Sequence, residues 1–186
     1  MDDIRTITSV IALFLSLLSL QWSRRRPKLE VTYEDKSPFK KHAQIIETWE
    51  SSVFVRVRVR NRGSNIAKGC TGKVVSWCAG KEETDDFDPV RVHWVSNPPD
   101  DDGPISLAVG EFEYLDVFRV NIGGGRLDLY TNSHPRATSM SFAWPQAFVL
   151  KVVVYCEDSP ASSIRLRVSY DEKNNPIVQC IKGSPL

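Results

Sequence analysis

Between residues 53 and 60 the chain alternates strictly, with Val53, Val55, Val57 and Val59 set against Phe54, Arg56, Arg58 and Arg60. A period of two marks a strand with one face in a core and the other toward water. Leu29, Val31 and Tyr33 alternate with Glu30, Thr32 and Glu34, and Ile164, Leu166 and Val168 alternate with Arg165, Arg167 and Ser169. Both predict strands of the same kind. The run from Ala147 to Cys156 is apolar at both parities except at Lys151, as expected of a central strand. Shorter candidates lie at Lys73–Cys78, Val90–Val95, Ile105–Val109, Glu113–Val120 and Ile177–Ile181, separated by turn signals such as Asn61-Arg62-Gly63, Asn97-Pro98-Pro99, Gly123-Gly124-Gly125 and Asp158-Ser159-Pro160. No amphipathic helix is readable after residue 28. The expectation is an all-β domain, a sandwich of eight or nine strands, with a closed barrel as the alternative.

The first residues follow another pattern. From Thr6 to Trp22 there is no charge, and the run ends against Arg24, Arg25, Arg26 and Lys28. As a helix it is roughly 25 Å long at about 1.5 Å per residue, at the short end for crossing a hydrocarbon core. Its polar side chains are small hydroxyls and Gln21, so it has no charged face to lie flat on a membrane. The chain opens Met1-Asp2-Asp3-Ile4-Arg5, and Gln21-Trp22-Ser23 lacks the small-x-small pattern of signal cleavage. The segment therefore reads as a retained single-pass transmembrane anchor over residues 1–23. A basic juxtamembrane segment, 24–28, follows, and the β-domain occupies 29–186. The excess of positive charge after the span places that domain in the cytoplasm by the positive-inside rule. Thr8, Ala12 and Ser16 recur every fourth residue, with Ser19 on the same side, a stripe that suits helix association and a homo-oligomer.

Charge alters this picture little. The chain has 24 basic and 23 acidic side chains, so the domain without its juxtamembrane cluster is slightly acidic, which argues against a dedicated nucleic-acid binder. A hydrophobic fraction of 41% excludes a disordered tail.

The segment Val55-Arg56-Val57-Arg58-Val59-Arg60-Asn61-Arg62-Gly63, followed by Ala67-Lys68-Gly69-Cys70, resembles the strand-turn signature of CARDB-type immunoglobulin-like prokaryotic modules. The order of elements also resembles small prokaryotic proteins with one membrane helix before a single such domain. The resemblance implies an immunoglobulin-like β-sandwich, usually extracellular and often tandem, whereas this chain carries one domain and a charge bias toward the cytoplasm. In the turn itself Gly63 is suited to a positive φ, and Asn61 to bonding its own backbone.

No constellation for chemistry is readable. Cys70, Cys78, Cys156 and Cys180 lack Cys-x-x-Cys spacing. In a cytoplasmic domain they are expected to be free thiols; in an extracytoplasmic one two bridges become available, Cys156 with Cys180 among them. His42, His93 and His134 are isolated, and His93 points away from the Val90, Val92 and Trp94 face. Asp85, Asp86 and Asp88, and Asp100, Asp101 and Asp102, form acidic loops without EF-hand spacing, better suited to solvation than to calcium. Gly123, Gly124 and Gly125 precede no helix and read as a turn. Phe54, Trp49, Trp77, Phe142 and Trp144 sit where aromatics close a sandwich core or form a recognition patch.

The function expected is a membrane-tethered, non-catalytic binding or scaffolding module without cofactor or metal, presenting its domain to a protein partner. The face of Arg56, Arg58 and Arg60 is the candidate for that contact, though these side chains could equally pair with neighbouring-strand acids. The alternatives are a hydrolase or metal-dependent enzyme with a loop-borne site, and an extracytoplasmic carbohydrate-binding or adhesion module.

Overall fold

The computed structural model describes residues 11–20, 26–45, 50–79, 88–98, 101–122, 126–129, 139–141, 147–173 and 175–181. Residues 11–20 are helical, and all ten are exposed. Among the described residues no helix is long and apolar enough to cross a membrane. The remainder of the expected Thr6–Trp22 span, with Thr8 of the small-residue stripe, lies outside the described residues.

The described strands are β1 (Leu29–Thr32), β2 (Lys40–Ile45), β3 (Glu50–Asn61), β4 (Ala67–Ala79), β5 (Val90–Trp94), β6 (Ile105–Leu107), β7 (Phe112–Asn121), β8 (Arg126–Leu129), β9 (Ser139–Ser141), β10 (Phe148–Cys156), β11 (Ser159–Tyr170) and β12 (Pro176–Ile181). Every pairing is antiparallel, and hydrogen bonding runs unbroken through the order β1-β3-β7-β5-β4-β10-β11-β12. The all-β expectation holds, and among the described residues twelve strands, where eight or nine were expected, pair into one curled antiparallel sheet. The reason lies in β5. Its first half pairs with β4 (Val92 opposite Gly72), and its second half pairs with β7 (Trp94 opposite Leu115). A strand shared in this way turns a corner without opening a gap in the ladder.

The corner brings two limbs over a common core. Val55, Val57, Val59, Leu115 and Val120 come from the first limb, and Val74, Leu150, Val152, Leu166 and Val168 from the second; all are fully buried. At the far end of the curl, β1 lies against β11. Trp94 ties the corner down by donating its indole N–H to the Cys70 carbonyl at 3.1 Å, and Trp77 stacks on Phe148 with centroids 4.1 Å apart. Trp77 is therefore a core residue and no part of a recognition patch. Trp49, Phe142 and Trp144 lie outside the described residues.

Strands β2 and β9 escape the sequence reading because neither has a sustained apolar alternation of its own, and β8, which does alternate with Leu127 and Leu129 inward, escapes it because it is only four residues long. Lys40–Ile45 becomes a strand by pairing along the edge of β3. Strand β11 begins at Ser159, inside the segment expected to turn, because Glu157 and Asp158 make the turn instead, with Asp158 at a φ of 60°.

Candidate functional site

The β3 arginines do face outward, but each is engaged within the chain. Arg56 lies opposite Asp116 in the β3–β7 ladder, and its Nε donates to Asp116 Oδ1 at 2.5 Å, with the two side chains only 13% and 8% exposed. Arg58 sits opposite Tyr114, with its guanidinium 5.7 Å from the centroids of both Phe39 and Phe112. Arg60 donates to the Gly110 carbonyl at 3.1 Å.

This engagement follows from the connection between β1 and β2. The two strands occupy successive stretches of one edge of β3, and residues 33–39 cross the outer face between them, through a cis Ser37–Pro38 peptide. Phe39 is 2% exposed there, edge-on to Tyr33 and Tyr114, in a small aromatic cluster that Tyr33 links to the main core. Burial is the main cause raising the Tyr33 hydroxyl's pKa, reinforced by its hydrogen bond to Asp35. Glu30 pairs with Arg62, whose hydrogen bond holds that carboxyl below its ordinary range. Lys36 does the same for Glu34.

Farther along the same face, His93 lies opposite Asp116 and is covered by the 101–104 segment. Its Nδ1 is 3.2 Å from Asp102 Oδ1, with side-chain exposures of 6% and 7%. The outward parity read for His93 is right, but it leads to a buried polar contact and not to solvent. Asp101 and Asp102 are likewise more than a solvated tip. Asp101 Oδ1 accepts from the Gly103 amide at 2.6 Å, which shapes the loop that carries Asp102 inward. Only the tertiary contact distinguishes the two aspartates. Among the described residues no group of three His, Cys, Asp or Glu is placed to hold a metal ion; Asp85, Asp86, Asp100, His134 and Gly123–Gly125 lie outside them. His42 lies on edge strand β2, exposed.

The second limb carries a cationic face of a different kind. Lys73 on β4, Lys151 on β10 and Arg165 and Arg167 on β11 share outward parity, with Lys151 directly opposite Arg165. Lys73 reaches over the Tyr155 ring, 5.9 Å from its centroid. Among the described residues no carboxylate pairs with Lys73, Lys151 or Arg167. These residues belong to a separate surface and do not continue the Arg56, Arg58 and Arg60 stripe.

A third region is the end where the chain joins the domain. Asn61 is wholly buried at the end of β3. Its Oδ1 accepts from the Gly63 amide at 2.9 Å and the Lys28 amide at 3.3 Å, and its Nδ2 donates to the Asn65 carbonyl at 2.7 Å and the Leu107 carbonyl at 3.1 Å. Arg62 N–H bonds the Lys28 carbonyl at 2.8 Å. Gly63 is needed here for close approach and not for a positive φ: an added Cβ would lie 2.5 Å from the Arg26 carbonyl oxygen and 2.6 Å from Pro27 Cα. The turn thus clamps residues 26–28 onto the domain. Arg26 and Lys28 are exposed beside it, whereas Arg24 and Arg25 lie outside the described residues. A cleft of about 680 Å³ opens at this end between Arg26, Ile66, Lys68, Glu157 and Asp158.

The four thiols are free. Cys70 lies beside Cys156, one step beyond the Tyr155–Thr71 pair, and its thiol donates to the Ala67 carbonyl at 3.4 Å. Cys180 is exposed on β12, opposite Leu166, so the suggested Cys156–Cys180 pairing is replaced by a Cys70–Cys156 neighbourhood. Burial, and then Cys156, push the Cys70 thiol up to about 12; burial also raises Cys156. At neutral pH both are protonated and poor nucleophiles. In the helix, Ser16 and Ser19 donate to the Ala12 and Ser16 carbonyls at 2.8 and 3.2 Å, which satisfies their hydroxyls locally.

No protein-family model, no curated protein and no solved structure matches the chain.

Proposed function

We propose that the chain is a single-pass membrane protein whose β-domain, an immunoglobulin-like sandwich with the two limbs as its layers, is a non-catalytic binding module held at the bilayer in the cytoplasm. The observation that carries this reading is the helix of residues 11–20. Ile11, Leu13, Phe14, Leu15, Leu17, Leu18 and Leu20 are all between 46% and 64% exposed, so the β-domain covers none of them. A helix apolar on every side needs an apolar surrounding, and its serines have already met their own hydrogen-bonding needs. Arg24, Arg25, Arg26 and Lys28 orient it, and the stripe of Thr8, Ala12, Ser16 and Ser19 permits self-association.

Of the two cationic faces, that on β4, β10 and β11 is the better fit to an acidic protein partner. The side chains on β3 are held by Asp116, by aromatic rings and by the Gly110 carbonyl, so recruiting them would require breaking internal contacts.

The test uses the full chain in its native membranes. Retention through alkaline carbonate extraction is expected, with Cys180 labelled by an impermeant maleimide only after lysis. A photo-crosslinking amino acid at Arg167 is expected to give a salt-sensitive adduct that Lys151→Glu removes, while the same probe at Arg58 gives none. Extraction by carbonate would overturn the anchor, labelling of intact cells would overturn the orientation, and absence of any adduct would overturn the partner face.

A further inference from the structure

The clamp at Asn61 and Gly63 constrains what the end of the domain can meet. From Trp22 at the close of the uncharged run to buried Pro27 there are five residues, which reach at most about 18 Å when fully extended. A domain seized at Pro27 therefore cannot float far from a bilayer that holds the preceding segment. The loops at this end stand closest to it: residues 62–66 and 108–111 are joined through Asn61, whose amide bonds the Glu111 carbonyl and whose carbonyl accepts from the Gly110 amide.

Each of these loops ends in an apolar side chain turned to solvent. Ile66 is 52% exposed and Val109 56% exposed, each beside a short polar turn. Around them Arg26, Lys28 and Lys68 are exposed. Arg62 is engaged with Glu30. Glu111 Oε2 accepts from the Ala108 amide at 2.6 Å, and Glu157 and Asp158 line the cleft opposite Arg26 and Lys68. Apolar tips ringed by mixed charge suit the interfacial layer of a membrane, where acyl chains lie just beneath phosphates and amines.

We propose that this end of the β-domain is a lipid-docking surface, in which Ile66 and Val109 enter the interfacial layer and Arg26, Lys28 and Lys68 meet lipid phosphates. Glu157 and Asp158 face the amine groups of zwitterionic headgroups, so docking does not require anionic lipid. The domain then stands on the bilayer in one attitude, with both cationic faces turned sideways. This inference rests on the membrane-anchor reading and adds an orientation to it.

The test reconstitutes the full chain into phosphatidylcholine vesicles containing a lipid with a nitroxide near its headgroup. An environment-sensitive fluorescent amino acid is placed at Ile66, Val109 or Lys173. Lys173 is exposed on the turn after β11, about 35 Å away at roughly 3.3 Å per strand residue. Emission at 66 and 109 is expected to shift to the blue and to be quenched at least about twofold, as for groups buried 5–10 Å into the interface, with no change at 173. Unquenched emission at 66 and 109 in a protein that resists carbonate extraction would overturn the docking and leave the anchor standing. Protein that washes from the vesicles would overturn the anchor and the docking with it. Should either probe prevent folding, hydrogen exchange on the unmodified chain decides: amides 62–66 and 108–111 slow in vesicles relative to detergent if the end is docked, and exchange equally if it is not.

Discussion

Strands β3 and β11 carry the same local pattern, apolar residues alternating with arginine, yet their outer faces differ in kind. On β3 a connection crosses the sheet and brings Phe39 over Arg58, while Asp116 closes on Arg56. On β10 and β11 Lys151 stands opposite Arg165 with like charge against like. A cation beneath a covering segment becomes part of the structure and its removal leaves a buried partner unpaired. A cation on an open face is screened by water and is available to another molecule. An alternating Val/Arg strand does not by itself define a binding surface.

The largest effect is expected at the cover. Phe39→Ala removes a fully buried aromatic ring and uncovers Arg58, and is expected to lower unfolding free energy by about 4 kcal/mol, read by denaturant titration. A loss below about 1 kcal/mol would mean that the two faces are alike. Arg56→Ala strands the Asp116 carboxylate and is expected to cost about 3 kcal/mol, whereas Lys151→Ala on the open face is expected to change stability by less than about 0.5 kcal/mol. Equal losses at the two positions would break the comparison.

Smaller effects sharpen it. Lys151→Glu converts the like-charged pair with Arg165 into an opposite-charged one, with an expected gain of about 0.5 kcal/mol at low salt that fades as salt is added. A loss at low salt would show that Lys151 is already engaged. The smallest effect is the pH dependence of the Glu30–Arg62 pair at the exposed rim of the first face. Arg62 depresses the Glu30 carboxyl below its ordinary 4.5, so its contribution is present above that value and is lost as pH falls through the depressed one. Arg62→Gln is expected to flatten the acid limb of a thermal-melting series slightly. A limb of unchanged slope would show that solvent and salt already screen the pair.

The thiols extend the contrast between covered and open positions. Cys70, with its thiol raised from 9.0 to about 12, contributes stability that is complete below about 9 and declines as pH rises toward 12. Mild oxidation with diamide, which takes up two electrons and two protons, is expected to join Cys70 to Cys156 once the anchor-proximal end opens. Cys180 should remain alkylatable throughout. Peptide mapping that finds Cys156 bonded to Cys180 would contradict the register of β4 against β10.

Parity was legible from consecutive residues alone. Val53, Val55, Val57 and Val59 had to share a buried face because side chains alternate across any strand, and the same rule placed Ile164, Leu166 and Val168 inside and His93 outside. The all-β class and nine of the strands followed from that local rule with turn chemistry, and Asn61 was readable as a structural residue. Tertiary structure alone decided the rest. Lys40–Ile45 and Ser139–Ser141 are strands only because a partner edge is waiting for their backbone groups. Asp102 is buried because a loop folds over β5, and Cys70 meets Cys156 because β4 runs beside β10. Gly63 is glycine because Arg26 and Pro27 pass within contact distance, not because its φ demands it. Parity is a property of consecutive residues, whereas cover, pairing and register are set between residues tens of positions apart. Two arginine stripes alike in sequence could therefore end in different settings, one beneath a crossing segment and one beside a lysine of like charge.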